Sequence, residues 1–170
     1  MFRKHPALFR ALCLAIFLFL TLLWLAFIFG NSLKDASESS EQSSQVHEIV
    51  NEVASSIGIE EPISEATVRN MAHFTEFLLL GVLLCCDIWA LGISPLRSIR
   101  RFDFLWLLFS LPISFLLACF DELLQKFSEG RTSDFLDVLT DTAGAVLGIL
   151  LFLSLFFLLR LGFKKQKSNT

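Results

Sequence analysis

The sequence has no tyrosine, no CxxC pair and little charge for its length. Lys, Arg, Asp and Glu make up 18% of the 170 residues, whereas hydrophobic residues make up 54%. A soluble domain of this size needs more surface charge to stay in solution, so this composition excludes a single soluble domain. The basic residues occur in short clusters beside apolar runs, which argues against a nucleic-acid-binding surface.

Cysteine usage excludes two further classes of protein. The four cysteines each lie inside an apolar run, and none has the spacing of a zinc site or of a disulfide framework; they are Cys13, Cys85, Cys86 and Cys119. We interpret them as small apolar packing residues. The chain also has no nucleotide-binding motif, no nucleophile constellation and no internal repeat.

Four apolar stretches are long enough to be transmembrane helices, which need about 20 mostly apolar residues. They are residues 11–29, 73–93, 104–120 and 142–161. The third contains Pro112, which a membrane helix tolerates. The first has a longer apolar run than a signal peptide and no clear cleavage site, so we interpret it as a retained anchor. The sequence therefore predicts an all-α membrane protein with four transmembrane helices.

The distribution of Lys and Arg predicts the orientation of these helices. Cytoplasmic loops are enriched in basic residues. Ten of the 14 basic residues lie in three alternate segments, the N-terminus, the loop between the second and third helices, and the C-terminal end. We therefore predict a multi-pass protein with both termini cytoplasmic: a basic N-terminus (1–10), a transmembrane domain (8–160) and a basic tail (161–170). The ten residues are Arg3, Lys4, Arg10, Arg97, Arg100, Arg101, Arg160, Lys164, Lys165 and Lys167.

The first outer loop, from Gly30 to about Met71, is rich in Ser and Glu. Its beginning is polar and is predicted to be solvated. From Gln45 to Ile59 the apolar residues recur at helical spacing, which predicts a short amphipathic helix lying on the outer membrane surface or capping the bundle. Pro62 ends that pattern, and Ser64 with Thr67 favours a new helix start.

Polar residues gather near the outer ends of the predicted helices, where ionisable groups are functional candidates. His73 and Glu76 share a face of the second helix. At the end of the third helix Asp121 and Gln125 share a face, and Glu122 is one step round. We predict a ligand-binding site on the outer face of the membrane, with His73 and Glu122 as candidates for a catalytic base.

The fourth helix opens with an acidic stripe of Asp134, Asp137 and Asp141, spaced at i, i+3 and i+7. The stripe continues as Gly144 and Gly148, a GxxxG pattern that lets another helix approach closely. The acidic face is therefore predicted to pack against the bundle. Asp134 alone also fits a helix cap and His73 alone a structural interface residue, while Asp87 has no evident role.

Arg131 lies in the sequence between the two acidic groups. It could hold a carboxylate or an anionic ligand, or it could serve only to neutralise Glu122 or Asp137. The predicted ligand-binding set therefore consists of His73, Glu76, Asp121, Glu122, Gln125, Arg131, Asp137 and Asp141.

These residues resemble the motifs of the VanZ-like family of bacterial membrane proteins over about residues 8–160. The resemblance starts at the end of the first helix and includes the segment from His73 to Gly81. Its strongest part is the series Asp121, Glu122, Gln125, Gly130, Arg131, Ser133, Asp137, Thr142, Gly144 and Gly148. The resemblance implies a bacterial inner-membrane protein of a family named for resistance to the glycopeptide teicoplanin.

Four positions depart from the family pattern. The chain has Asn70 where Lys is common, Phe77 where Tyr is common, Asp141 where Asn is usual and Glu129 where Pro is usual. These changes add negative charge and remove a hydroxyl, while the motif series is kept.

Three functions agree with this pattern. The first is an envelope protein that binds a lipid head group, a cell-wall precursor or a lipophilic glycopeptide and lowers teicoplanin sensitivity. The second is a membrane enzyme for a lipid-linked or glycan substrate, in which Asp121, Asp137 and Asp141 bind a divalent cation that offsets their repulsion. The third is a small transporter acting as an oligomer. The bilayer is the expected partner in each.

Overall fold

The computed structural model describes residues 6–59, 61–91, 103–131 and 134–168. These residues form five helices and no strand, which confirms the predicted all-α fold. The helices are α1 (Pro6–Ser32), α2 (Ala36–Ser56), α3 (Glu65–Ala90), α4 (Asp103–Gln125) and α5 (Phe135–Ser168).

Three helices within the described residues are long and apolar enough to cross a membrane. These segments are Ala7–Ser32, Glu65–Ala90 and Phe135–Leu158. The third predicted span lies within α4, which continues through Pro112 as expected. The count of four spans and the orientation stay predictions, because the length and composition of a helix do not show in which direction it crosses a membrane. The predicted basic loop with Arg97, Arg100 and Arg101 lies outside the described residues.

The bounds of α5 and α2 differ from the prediction. α5 extends to Ser168, so part of the predicted C-terminal tail is helical. α2 begins at Ala36, nine residues before the predicted start at Gln45, because Asp35 caps it by accepting a hydrogen bond of 2.9 Å from the backbone N–H of Glu38. The Ser- and Glu-rich segment is therefore helical, although it shows no apolar periodicity.

α3 is the central helix: it contacts each of the other four helices and packs most extensively against α5. The close approach depends on glycines. A Cβ atom at Gly144 would lie 2.2 Å from the carbonyl oxygen of Phe74, and one at Gly148 would lie 2.0 Å from that of Leu78. The predicted GxxxG packing is thus present between α5 and α3, one turn beyond Asp141.

α2 carries an exposed apolar stripe. Val46, Ile49, Val53 and Ile57 are 43–71% exposed, whereas Ala54 on the neighbouring face is buried. On the α3 side, the Asn51 side chain accepts a hydrogen bond of 2.7 Å from the Ile63 backbone N–H and so ties α2 to the segment before α3. An amphipathic helix with this exposure is typical of a membrane interface, and its place at the surface stays a prediction.

Asp87, which had no evident role in the sequence, pairs with α1. Its carboxylate is buried and accepts a hydrogen bond of 2.7 Å from the hydroxyl of Thr21. Its second oxygen has no hydrogen-bond partner among the described residues. The pair therefore links α1 to α3 but leaves one buried acceptor unsatisfied, which costs free energy.

We expect Thr21→Val to lower the free energy of unfolding by about 1 to 2 kcal/mol, because it leaves the buried Asp87 carboxylate without its donor. The double variant Thr21→Val/Asp87→Leu is expected to regain this loss, since an apolar pair replaces a half-satisfied polar one. Reversible unfolding of the protein in mixed micelles measures both. A double variant less stable than Thr21→Val would show that the Asp87 carboxylate stabilises the fold through another contact.

Candidate functional site

The site is centred on His73, which lies on α3 between two buried carboxylates. Its Nδ1 atom is 3.9 Å from Oδ2 of Asp121, near the end of α4, and 3.7 Å from Oδ1 of Asp141 on α5. The carboxylate side chains are fully buried and His73 is 14% exposed. Three helices thus bring together three of the residues that the sequence singled out.

Helix packing fixes the distance between His73 and Asp141. The next residue after His73, Phe74, offers the carbonyl oxygen against which Gly144 packs. Gly144 is three residues beyond Asp141 and therefore on the same face of α5. The glycine contact brings the two backbones close enough for the imidazole and the carboxylate to face each other.

Asp121 is held by a chain of hydrogen bonds. The Ser32 hydroxyl at the end of α1 donates to Oδ1 of Asp121, and the Gln125 amide donates to Oδ2 at 3.0 Å. Arg131 donates to the side-chain oxygen of Gln125 at 3.0 Å and to the backbone oxygen of Asn31 at 3.2 Å. Asp121 thus joins α1 to α4 and to the loop before α5.

Glu76 belongs to a second, adjoining set of contacts. Its carboxylate accepts a hydrogen bond of 3.2 Å from the side-chain amide of Asn31. The oxygen of that amide accepts one of 2.9 Å from Lys34. The Trp24 indole donates to the backbone oxygen of Glu76, which fixes α1 against α3 at this level.

Glu122 lies on a different side of α4 from this cluster. Its Oε2 atom accepts a hydrogen bond of 2.9 Å from the backbone N–H of Asp134, at the beginning of α5. It lines a separate cavity of about 310 Å³ together with Lys126 and Phe135. The structure therefore gives Glu122 a contact with the start of α5 and does not bring it to His73.

The three acidic residues of the α5 stripe differ in how deeply they are buried. Asp141 is fully buried, Asp137 is half-buried and Asp134 is exposed. The Asp134 carboxylate accepts a hydrogen bond from the backbone N–H of Leu136, in agreement with its interpretation as a cap. Asp137 faces a cavity that Arg131 also lines. Of the three predicted metal ligands, Asp121 and Asp141 lie together with His73, while Asp137 is not part of that group.

A cavity of about 90 Å³ opens between α1, α2 and α3. Its lining combines polar and apolar side chains from these three helices with Arg131, and it includes Asn31, Ser39, Gln42, Val46, Arg69, His73, Glu76 and Arg131. A second cavity of about 240 Å³ shares Ser39, Arg69 and Arg131 with the first. The two arginines thus line both cavities, and His73 also lines the first.

Arg69 and Arg131 place two positive charges near each other. Burial lowers the pKa of the Arg131 guanidinium, and repulsion from Arg69 lowers it further. Arg69 forms a surface ion pair of 3.7 Å with Glu65, while its buried Nε atom has no hydrogen-bond partner among the described residues. An anion beside both arginines would relieve the repulsion and accept their free N–H groups.

Sequence reasoning missed Arg69, Asn31 and Ser32 as site residues. Asn31 and Ser32 had a signal, because they lie at the beginning of the first segment of the family resemblance, but an isolated amide or hydroxyl rarely marks a site. Arg69 had a weaker signal, since it is adjacent to Asn70, where the family commonly has Lys, but it stands in a polar segment before the apolar run.

Comparison with known proteins gives one match. The family model described as VanZ/LLP1 matches residues 17–163, which include every residue of the site. No curated protein and no solved structure matches the chain.

Proposed function

Because the chain belongs to the VanZ/LLP1 family and has membrane-type apolar helices, we propose that it is a cell-envelope membrane protein that binds the phosphate-bearing head group of a lipid. The single observation that carries this proposal is the pair of arginines, Arg69 and Arg131, at the shared wall of two cavities. In the orientation predicted from the basic residues, this site faces the outer side of the membrane.

The arginines supply what a phosphate group requires. Guanidinium groups bind phosphate oxygens through paired, charge-assisted hydrogen bonds. Arg131 is positioned by its hydrogen bonds to Asn31 and Gln125, so less side-chain entropy is lost on binding. Arg69 has a buried N–H group without a partner among the described residues. An anionic head group would satisfy that donor and reduce the repulsion between the two charges.

The apolar part of the ligand has a surface beside the cavity. Val46 lines the cavity and begins the exposed apolar stripe of α2, which continues through Ile49 and Val53. A stripe of this kind lies among acyl chains when a helix rests in the membrane interface. A lipid can therefore place its chain along α2 and its phosphate at the arginines. By binding lipid-linked precursors or a lipophilic glycopeptide here, the protein would lower teicoplanin sensitivity.

We expect Arg131→Met to weaken binding of an anionic lipid at least about tenfold, or about 1.4 kcal/mol, because it removes a charge-assisted contact. Native mass spectrometry of the purified protein with phosphatidylglycerol and, separately, with undecaprenyl phosphate measures this. A preference for the second probe would identify a lipid-linked precursor as the ligand. Arg69→Met should act in the same direction.

Lys126→Met is the matched control, since Lys126 is an exposed cation that lines the separate Glu122 cavity. It is expected to change affinity less than about twofold, as for a solvent-screened charge. Equal affinities for wild type, Arg131→Met and Arg69→Met would contradict head-group binding at the arginines.

In a susceptible bacterium at matched abundance, wild type and Lys126→Met should protect against teicoplanin, and Arg131→Met should not.

An enzyme acting on a lipid-linked substrate is the second candidate, and the position of His73 favours it. His73 lines the cavity and faces the carboxylates of Asp121 and Asp141. A carboxylate behind an imidazole can set its orientation for proton transfer. Conversion of undecaprenyl diphosphate by wild type, and its loss in His73→Gln with lipid binding unchanged, would favour the enzyme over simple binding.

A further inference from the structure

The cluster of His73, Asp121 and Asp141 differs from an ordinary acidic patch because its carboxylates are buried, and because the Asp141 carboxylate and the His73 Nδ1 atom have no hydrogen-bond partner among the described residues. We propose that these three side chains bind one divalent metal ion of the first transition row. This inference goes beyond head-group binding and does not depend on it, because it rests on different side chains from those that would hold the phosphate.

The first observation is the state of Asp141. Its side chain is fully buried, and neither carboxylate oxygen accepts a hydrogen bond from any residue that the structure describes. The Nδ1 atom of His73, which faces it, also has no hydrogen-bond partner there. A buried carboxylate without partners costs several kcal/mol, so such groups are paired, protonated or bound to a metal ion.

The second observation is the distance between the facing atoms. His73 Nδ1 is 3.7 Å from Asp141 and 3.9 Å from Asp121, which is too long for a hydrogen bond. Two ligands that each lie about 2.1 Å from one ion are about 3.0 to 4.2 Å apart. The three ligand atoms lie within 4.8 Å of one another, so a small contraction would place all three around one ion.

The donor set indicates the kind of ion. One imidazole nitrogen with two carboxylates suits Zn²⁺ or Mn²⁺ better than Mg²⁺ or Ca²⁺, which are bound mainly by oxygen. Ser32 and Gln125 donate to Asp121 and fix its orientation, as residues behind a metal ligand do. The ligands come from α3, α4 and α5, so the ion would also join these helices.

Among the described residues, no Lys or Arg side chain forms an ion pair with Asp121 or Asp141, whose ion-pair contacts are with His73. The Arg131 side chain is bonded to Gln125 and to the Asn31 backbone, and neither bond reaches Asp141. The alternative partner is the protonated imidazole of His73. That arrangement predicts a hydrogen bond from Nδ1 to one carboxylate, whereas the structure has both at a longer distance. The metal site predicts one bound ion per protein, whereas a protonated imidazole between the carboxylates predicts none.

The test is the metal content of the full-length protein in detergent micelles. Wild type and variants are stripped with EDTA, incubated with Zn²⁺ or Mn²⁺ alone, desalted and analysed by elemental mass spectrometry. Wild type is expected to retain one equivalent of one of these ions, and the ion should raise its melting temperature. Asp141→Asn and His73→Gln should each weaken binding at least about tenfold.

Asp137→Asn is the matched control, because Asp137 is an acid on the same helix and one turn from Asp141 but outside the cluster. It should bind like wild type. The proposal is overturned if wild type retains no stoichiometric Zn²⁺ or Mn²⁺, or if Asp141→Asn binds as wild type does, or if Asp137→Asn loses the ion equally. Asp141→Asn and His73→Gln are both tested because one of them could fail to fold. The melting curve of the metal-free protein reveals such a folding defect.

This experiment separates the metal site from the proposed function. Arg131→Met should keep the ion while losing the lipid, and metal loss in Asp141→Asn is measured with no lipid present. A failure of lipid binding would leave the metal result standing, and the reverse also holds.

Discussion

Replacing Gly148 by alanine is expected to lower the free energy of unfolding by about 3 kcal/mol, the upper end of the cost of overpacking. The added methyl group would lie 2.0 Å from the carbonyl oxygen of Leu78 and 2.9 Å from its carbonyl carbon. These are backbone atoms and cannot rotate away as the end of a side chain can. The two helices must therefore separate.

The same substitution at Gly30 provides the control. No described atom lies within 4 Å of where a Cβ at Gly30 would be, and Gly30 is also helical. Because alanine favours a helix over glycine by about 1 kcal/mol, Gly30→Ala should leave stability unchanged or raise it slightly. Thermal unfolding in detergent compares the two. A Gly148→Ala protein as stable as wild type would show that α3 and α5 approach less closely than the contacts imply.

The consequence for the site follows from the same contact. Asp141 is seven residues before Gly148 on one face of α5, and His73 is five residues before Leu78 on α3. A larger separation of the helices therefore also separates the imidazole from the Asp141 carboxylate. Gly148→Ala should weaken metal binding although Gly148 touches none of the three ligands.

Much of this architecture could be predicted from the sequence. Apolar runs of the right length identify α1, α3 and α5, and the glycine spacing indicates which face of α5 packs closely. The length of α2 could not be predicted in the same way. Its first nine residues are polar except for Ala36, so apolar periodicity detects only the second part, and the cap Asp35 adds no apolar signal.

The site could be predicted in part, because helix geometry decides which neighbours share a face. Successive helix residues point about 100° apart. Asp121 therefore points to His73, whereas Glu122, its neighbour, points to the start of α5. Asp121 and Glu122 are predicted to belong to one site because they are adjacent in the chain. The sequence does not show which neighbouring helix each side chain faces. Only the packing of α3 and α5 against α4 settles that question.

Arg69 and Ser32 show a second limit of predicting a site from sequence. Each lies close to a site residue that is distant in the sequence: Ser32 donates a hydrogen bond to Asp121, 89 residues away, and Arg69 lines the same two cavities as Arg131, 62 residues away. No spacing rule connects such pairs.

The predicted orientation of the helices in the membrane rests on loop charges, and reporter fusions at each terminus would test it independently of the fold.

The fold and the site both depend on the Asp121 side chain, and Asp121→Ala is expected to destabilise the fold and to abolish metal binding. Asp121 is fully buried and accepts hydrogen bonds from Ser32 on α1 and from Gln125, which in turn holds Arg131. Removing it leaves the Gln125 amide without this acceptor, leaves the Ser32 hydroxyl only the backbone oxygen of Ile28 at 3.2 Å, and removes one link between α1 and α4. We expect a loss of about 3 kcal/mol in the free energy of unfolding, as for a broken buried network.

Two further variants separate charge from hydrogen bonding. Asp121→Asn keeps the shape and one acceptor, so it should lose less than half as much stability as Asp121→Ala, yet it should lose metal binding. Asp137→Ala removes a half-buried acid outside the network and should change stability by less than about 0.5 kcal/mol. Unfolding in mixed micelles, with metal content measured on the same samples, gives both quantities. If Asp121→Ala were as stable as Asp137→Ala, the hydrogen bond from Ser32 to Asp121 would not be what holds α1 against α4. The link between the α1 end and the arginine site would then have to run through Asn31, whose backbone oxygen and side chain contact Arg131 and Glu76 directly.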